Sequence, residues 1–402
     1  MVTISKNLAE GVIVIANVLI IGRRGACYRA ALGLGHRVFL WSATPLHESR
    51  KARLAGWIEQ PFEGQLSIPE SVLEVARSWH LDFIVASTES SVVPAATLRA
   101  KLGLPGTSLE VAMLAHNKFV MKTRAREHGI PITDFHLINA EDNAALLISK
   151  LGLPLVLKPV DESGATDVKV LHSREQIKQL MRPGLLAEAF VAGTEVSVET
   201  FVVDGAPIFH NVTDYLHPWQ KSVAPASLDA ELTKQIFAIN RRVIKAFGIQ
   251  HGMTHAEYYL TASGPVFGEI AVRPPGGYYM ELIEKAYRFD SWETYIAIET
   301  EGKIAALPKK ARRFAAVYII HPGTSGVVTS IEGEQTVAAL PGVFEFELDL
   351  AVGDFVAERV NTSNECGHVL LSAPSREEVL GLIHRIENEL RITVDAAPDK
   401  SW

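Results

Sequence analysis

The sequence predicts an α/β fold that turns into α+β towards its C-terminus. Three observations lead there. The first quarter of the chain alternates short apolar runs with helical patterns, as βα units of a parallel sheet do; Asn17–Ile21, Ala26–Leu34 and Val38–Trp41 come first. The middle of the chain replaces this alternation with extended runs joined by small-residue turns. Beyond Arg313 the pattern is β again, at Phe314–Ile320, Gly326–Ile331, Val343–Leu348 and His368–Ser372, closed by a helix from Ser375 to Leu390.

A chain of 402 residues has room for roughly two to four domains or subdomains. Its 48% hydrophobic and 21% charged residues are ordinary globular composition and allow a large core. A formal net charge of -7 argues against nucleic acid as a partner. Cys27 and Cys366 are the only cysteines, which gives no disulfide framework and suits a reducing cytoplasm. The apolar stretch Gly11–Ile21 is interrupted by Asn17 and too short to span a bilayer. Arg23 and Arg24 follow it rather than precede it, unlike a signal peptide, so a buried strand with its lead-in is expected and no membrane partner.

The turn Gly22-Arg23-Arg24-Gly25 lacks the G-x-G-x-x-G spacing, and no acidic residue closely follows the second strand. It reads as a structural βα turn rather than a dinucleotide site. Ser71–Trp79 and Val92–Leu102 suit helices around a strand at Phe83–Ala86. Thr107-Ser108-Leu109-Glu110 matches a capping box opening one helix that carries Asn117, Lys118 and Lys122. The two lysines, four apart, share a helix face, for which a solvated basic surface is the ordinary reading.

Leu155–Val160 is a strand with Lys158 inside it, and a lysine there needs an anionic partner or an exit to solvent. The loop from Asp161 to Asp167, with Ser163, Gly164 and Ala165 at its centre, is small enough for backbone N–H groups to approach phosphate oxygens. An ordinary surface hairpin is the competing reading. Leu185–Val191 and Glu195–Val203 read as a strand pair turning at Ala192-Gly193-Thr194, where Glu188 and Glu195 are either candidate acceptors for an amino group and ribose hydroxyls or simply exposed acids of a hairpin. Phe209–Ser227 shows little regular pattern and reads as a long functional loop. Its Asp214, His217, Trp219 and Lys221 are candidates for a substrate pocket. Asp229–Phe247 is a clear amphipathic helix.

His255–Gly277 reads as a β-hairpin closed by Pro274-Pro275-Gly276-Gly277. With the turn centred near Ser263, Glu257 and Glu269 fall opposite each other on one face. Facing carboxylates repel, and a divalent cation between them removes the repulsion; Mg²⁺ prefers a few carboxylates plus phosphate oxygens. The same parity places His255, Ala271 and Arg273 on that face, and an arginine grips phosphate or carboxylate as a planar fork.

Taken in order, these features resemble the ATP-grasp superfamily of ligases: lysine on a helix, lysine in a strand before a small-residue flap, two acids on adjoining strands, then paired glutamates with a trailing arginine. The segments AEAFVAGTEVSVE and HAEYYLTASGPVFGEIAVRPPGG carry most of the resemblance, which extends in architecture over nearly the whole chain. The layout is most similar to carboxylate–amine ligases that make dipeptides and related amides. The resemblance implies an ATP-grasp fold with an N-terminal open parallel α/β domain over 1–106. A small lid subdomain over 107–187, a large subdomain over 188–312 and a C-terminal β-rich subdomain over 313–402 would follow.

It also implies roles. Lys118 and Lys158 would contact the ATP phosphates under the flap of Ser163, Gly164 and Ala165. Glu188 and the backbone of Ala189, Phe190 and Val191 would meet adenine, and Glu195 the ribose. Glu257 and Glu269 would hold Mg²⁺, for which Mn²⁺ could substitute. Arg273, helped by His255, would steady an acyl phosphate, with Gly276 and Gly277 beside the substrate. The substrates would be a small carboxylate and an amine, amino acids in the first instance, joined at the expense of ATP; relatives often form homodimers. The family pattern is Glu-x-Asn where this chain has Glu269-Ile270-Ala271, and Ala271 cannot ligate a metal. Alternatives at this stage are a carboxylase-type or purine-type ATP-grasp enzyme, or a nucleotide-binding protein with altered catalysis. An NAD-dependent oxidoreductase would need the glycine fingerprint that is absent.

Overall fold

The computed structural model describes residues 15–396 apart from 63–65, 163, 165, 218–219, 301, 303 and 360–363. Four parallel strands open the chain: β1 (Asn17–Ile21), β2 (Arg37–Ser42), β3 (Gly56–Glu59) and β4 (Phe83–Ala86), in the order β3-β2-β1-β4. Leu19, Ile20 and Ile21 are fully buried because helices cover both faces of such a sheet. This domain docks on the rest through the helix Ser291–Thr300: the Tyr295 hydroxyl donates to the Ala86 carbonyl at 2.7 Å, and buried Arg99 and Glu299 lie 3.5 Å apart.

The expected single helix after Ser108 is two helices, Leu109–His116 and Lys118–Glu127, broken at Asn117. Ser108 alone caps the first, accepting from the Val111 amide; Asn117 is extended and caps the second, accepting from the Phe119 and Val120 amides. The break leaves the Lys118 amide to donate to the Val160 carbonyl at 2.7 Å, tying this helix to the flap strand.

A small antiparallel sheet follows, β5 (Phe135–Leu137), β6 (Leu155–Pro159), β7 (Lys169–Leu171) and β8 (Leu185–Ala189), ordered β5-β8-β6-β7. Leu155, Leu157 and Ala187 pack on Leu147 and Ile177 of its two helices. β8 and the next strand, β9 (Thr194–Val203), are not a hairpin, contrary to the reading of the sequence. β8 belongs to the small sheet and β9 to a large one, so the chain crosses between sheets after Ala189. The crossing lies past the anticipated 187/188 boundary, which would cut β8.

The large sheet has eight strands, ordered β13-β12-β9-β10-β11-β14-β18-β16. In chain order they are β9, β10 (Ala206–His217), β11 (Lys221–Ala224), β12 (Gly252–Thr261), β13 (Gly264–Ala271), β14 (Phe314–Ile319), then β15 (Gly326–Glu332) outside it, β16 (Val343–Leu348), β17 (Phe355–Val356) outside it, and β18 (Gly367–Ala373). β17, β15 and β19 (Arg391–Ala396) form a separate three-stranded sheet. The stretch 209–227 is therefore mostly strand, not loop; its polar residues alternate because one face of β10 is lined with polar partners. The C-terminal segment adds three strands to the same large sheet, so no sheet boundary falls at 312/313.

Period-two alternation gives β12 two different faces. Tyr258 is fully buried against the helix Ala230–Phe247, its hydroxyl donating to Asn240 Oδ1 at 2.9 Å and its ring 5.7 Å from Phe267. Asp229 caps that helix, accepting from the Leu232 amide. The other face carries His255, Glu257 and Tyr259. Among the described residues, no helix is long and apolar enough to cross a membrane.

Candidate functional site

The acidic wall is built on that second face. β12 pairs with β9 so that His255 meets Glu199, Glu257 meets Ser197, and Tyr259 meets Glu195. β13 adds Glu269 opposite Glu257 and Ala271 opposite His255. Burial, followed by the charges of Glu257 and Glu269, pushes the Glu195 carboxyl up to about 8. A divalent cation would relieve that crowding, and the oxygen donors of Glu257 and Glu269 suit Mg²⁺ in kind.

His255 Nδ1 lies 3.0 Å from Glu199 Oε1, and His255 Nε2 lies 3.6 Å from Glu257 Oε1. Glu199 is fully buried and accepts from the Ser197 hydroxyl at 2.6 Å, the Asn211 amide at 2.7 Å and the Thr213 hydroxyl at 2.6 Å. Burial works against the imidazolium, but hydrogen bonds with Glu199 and Glu257 outweigh it and raise the ring to about 9. Glu199 stands in phase with Glu195 along β9, and that spacing was the available signal for it.

The basic wall faces it from the small subdomain. Lys118 Nζ donates to the Glu162 carbonyl and lies 3.8 Å from Glu269 Oε2, so the two walls meet at this pair. Lys158 Nζ is 2.9 Å from Glu188 Oε1, and Lys122 Nζ is 3.3 Å from Glu188 Oε2. Glu188 therefore holds two ammonium groups and has its carboxylate committed to them, rather than open towards an adenine amino group. Burial opposes its charge, yet Lys122 and Lys158 hold its carboxyl below the usual range. Burial likewise opposes the Lys158 charge, and Glu188 and Glu269 raise it; for Lys122 burial wins and the ammonium is lowered. Lys122 is 1% exposed, so the solvated basic face that four-residue spacing suggests is instead a buried one.

Near the crossover between sheets, the Ala189 amide donates to the Asp134 carbonyl, the Thr133 hydroxyl donates to the Ala189 carbonyl, and the Phe190 amide donates to the Pro154 carbonyl. Phe190 is exposed, and Val191 follows in the same crossover segment. Gly164 lies in the β6–β7 turn; Ser163 and Ala165 lie outside the described residues, as does Trp219.

Arg273 already holds an anion. Its Nε is 2.7 Å from Glu89 Oε2, and Nη1 donates to the Pro274 carbonyl at 2.9 Å. Glu89 sits on the turn after β4, so this pair joins the N-terminal domain to the hairpin. Arg24, which the sequence reading left in a structural turn, is half-buried beside it: it donates to the Pro275 carbonyl and stacks 5.4 Å over Trp292. Burial lowers its pKa, and the neighbouring Arg273 lowers it further. Gly276 and Gly277 lie directly in this loop, Gly277 with φ +60° and the Tyr279 ring where a side chain would begin.

The structure turns Asp214 and Lys221 to other partners. Asp214, out of phase with Thr213, pairs with Arg376, and Lys221 pairs with Glu387, both on the C-terminal helix Arg376–Glu389. His217 is exposed at the end of β10. Strand alternation decides this, and a reading as loop could not reveal it.

A family model described as ATP-grasp domain matches residues 123–281, and one described as L-amino acid ligase C-terminal domain 2 matches residues 318–395. The L-arginine-specific L-amino acid ligase of Bacillus subtilis is 27% identical over 347 residues, covering 81% of this chain and 83% of that protein. Dapdiamide A synthase of Enterobacter agglomerans is 24% identical, covering 75% and 77%. The crystal structure of an L-amino acid ligase from Bacillus licheniformis superposes with a TM-score of 0.81 at 22% identity, covering 94% of this chain and 99% of that one; that likeness is one of fold.

With these matches, the chain is an ATP-dependent carbon–nitrogen ligase. An ATP-grasp domain occupies residues 123–281 of the chain.

Proposed function

We propose that this protein uses ATP to activate a substrate carboxylate as an acyl phosphate and passes the acyl group to an amine, forming an amide bond and releasing ADP and phosphate. The observation that carries this reading is the approach of Lys118 to Glu269 at 3.8 Å, with Lys158 behind one and Glu257 facing the other. A polyphosphate needs ammonium groups on one side and a carboxylate-held cation on the other. Carboxylase-type and purine-type chemistry has less support, since the matching C-terminal model and the relative that covers 81% of this chain are of L-amino acid ligases, while purine-type formyltransferases cover 61% of it or less.

In this proposal Lys118 and Lys158 hold the phosphates, Glu188 and Lys122 fix Lys158 in place, and Glu195 takes the ribose. The Val191 amide and nearby backbone read the adenine edge, since the Ala189 and Phe190 amides have internal partners. Glu257 and Glu269 hold Mg²⁺, which when bound neutralises phosphate charge. Arg273 exchanges Glu89 for the acyl phosphate, and the residues around Gly164 exclude water from it. We take both substrates to be amino acids or close analogues, and the compartment to be the cytoplasm, where the buried free thiols of Cys27 and Cys366 stay reduced.

The test is phosphate release from Mg-ATP against amino acids singly and in pairs, with mass spectrometry of the products. A product one water lighter than the sum of a pair, formed with phosphate, supports the reading. ATP hydrolysis that ignores every carboxylate and amine offered would overturn it.

A further inference from the structure

Assigning Glu257 and Glu269 to a metal leaves one place on their face without a donor. Ala271, next in phase after Glu269, offers a methyl group. Its partner across the ladder is His255. This imidazole is held on both sides. Nδ1 meets Glu199 at 3.0 Å, and both oxygens of Glu199 are engaged by Ser197, Asn211 and Thr213, so the carboxylate has no freedom to turn away. With Nδ1 held by a carboxylate, the usual arrangement behind a ligating histidine, Nε2 is the nitrogen turned to the site, and a divalent ion there would displace the proton it shares with Glu257. That nitrogen, Nε2, points at Glu257 from 3.6 Å, and Glu269 stands across from Glu257. Two donors on one divalent ion at about 2.1 Å each lie roughly 3 Å apart, so a shift well under 1 Å brings Nε2 and Glu257 onto a shared ion.

We infer that His255 is a metal ligand through Nε2, supplying from β12 the donor that Ala271 does not supply from β13, with Glu199 as the positioning residue that fixes its tautomer. The inference rests on Glu257 and Glu269 being metal ligands. It adds a nitrogen to an otherwise oxygen site, which favours Mn²⁺ or Co²⁺ over Mg²⁺ relative to an all-oxygen site.

The experiment is electron spin echo spectroscopy of Mn²⁺ bound with ADP to the full chain, prepared with natural and with ¹⁵N-labelled histidine. The expected result is one nitrogen coupling that changes from the ¹⁴N to the ¹⁵N pattern on labelling, which adenine nitrogens cannot do. His255→Gln should lose it and weaken Mn²⁺ binding about tenfold or more; Glu199→Gln should weaken binding while keeping the coupling. Bound Mn²⁺ without a histidine coupling, or a coupling that survives His255→Gln, overturns the inference while leaving the carboxylate site standing. No site-bound Mn²⁺ in a protein that binds ADP overturns the carboxylate reading as well. A coupling that is kept in His368→Gln excludes the separate cluster of Glu345, Glu347 and His368 as its source, and one lost there overturns the inference.

Discussion

Glu257 faces Glu269 only because Gly268 has no partner. Thr261 pairs with Gly264, so the hairpin turns between Ala262 and Ser263, and an unbroken ladder would set Glu257 opposite Gly268. A bulge between Tyr258 and Glu257 absorbs Gly268 and returns Glu269 to the face of Glu257. A side chain at 268 would start 3.1 Å from the Glu257 carbonyl and 3.3 Å from the Tyr259 ring, tighter than packing allows without movement. One residue of register decides whether the two carboxylates share a face.

Glu269→Gln should cut phosphate release by roughly 10²–10³-fold. It should change the unfolding midpoint measured without divalent cations little, because relief of the repulsion from Glu195 and Glu257 offsets the lost attraction to Lys118 and Lys158. Turnover near wild type would remove Glu269 from the site.

Lys122→Met should destabilise the fold by about 2 kcal/mol, less than the loss of a sole partner, since Glu188 keeps Lys158. The double variant Lys122→Met/Glu188→Leu should cost less than the sum of its parts, as coupled charges do. Additive denaturation free energies would mean that the two side chains act independently.

Arg273→Lys should lower kcat by orders of magnitude while keeping the positive charge, because an ammonium cannot present the planar guanidinium that now reaches Glu89 through Nε and the Pro274 carbonyl through Nη1. Full kcat in the lysine variant would show that charge alone is enough there.

His210 gives the fold a pH dependence apart from the site. Burial, aided by the Arg241 charge, lowers its ring from 6.5 to about 4, while its Nδ1 lies 3.0 Å from the Thr200 hydroxyl and its ring stacks 4.5 Å from Phe237. Between those pH values the unfolded chain binds a proton that the folded chain refuses. Stability from this group is therefore whole above about pH 6.5 and falls, by up to roughly 3 kcal/mol, as pH drops towards 4. Urea unfolding of the wild type and His210→Asn at pH 7 and pH 5 measures it; the variant should lose less on acidification, and equal losses would refute the assignment.

The N-terminal βα units, the strand around Lys158 and the hairpin of Glu257 and Glu269 were legible in the sequence because each is a local pattern. Apolar periodicity and turn residues act within a few positions, and they placed most elements close to where they stand. Non-local partners were not legible. The β8-to-β9 step reads as a hairpin turn but passes between two sheets. The polar alternation of β10 was taken for loop because the helix pairing with Asp214 and Lys221 lies far along the chain.

By itself the sequence determined most of the strands and helices and the order of the acids and bases along them, from Lys118 and Lys158 to Glu257, Glu269 and Arg273. Only the tertiary structure decided which of them meet. Glu188 with Lys122 and Lys158, Arg273 with Glu89, and Glu199 with His255 are pairs made between different elements, fixed by strand register and by burial that leaves a charge stable only beside its opposite.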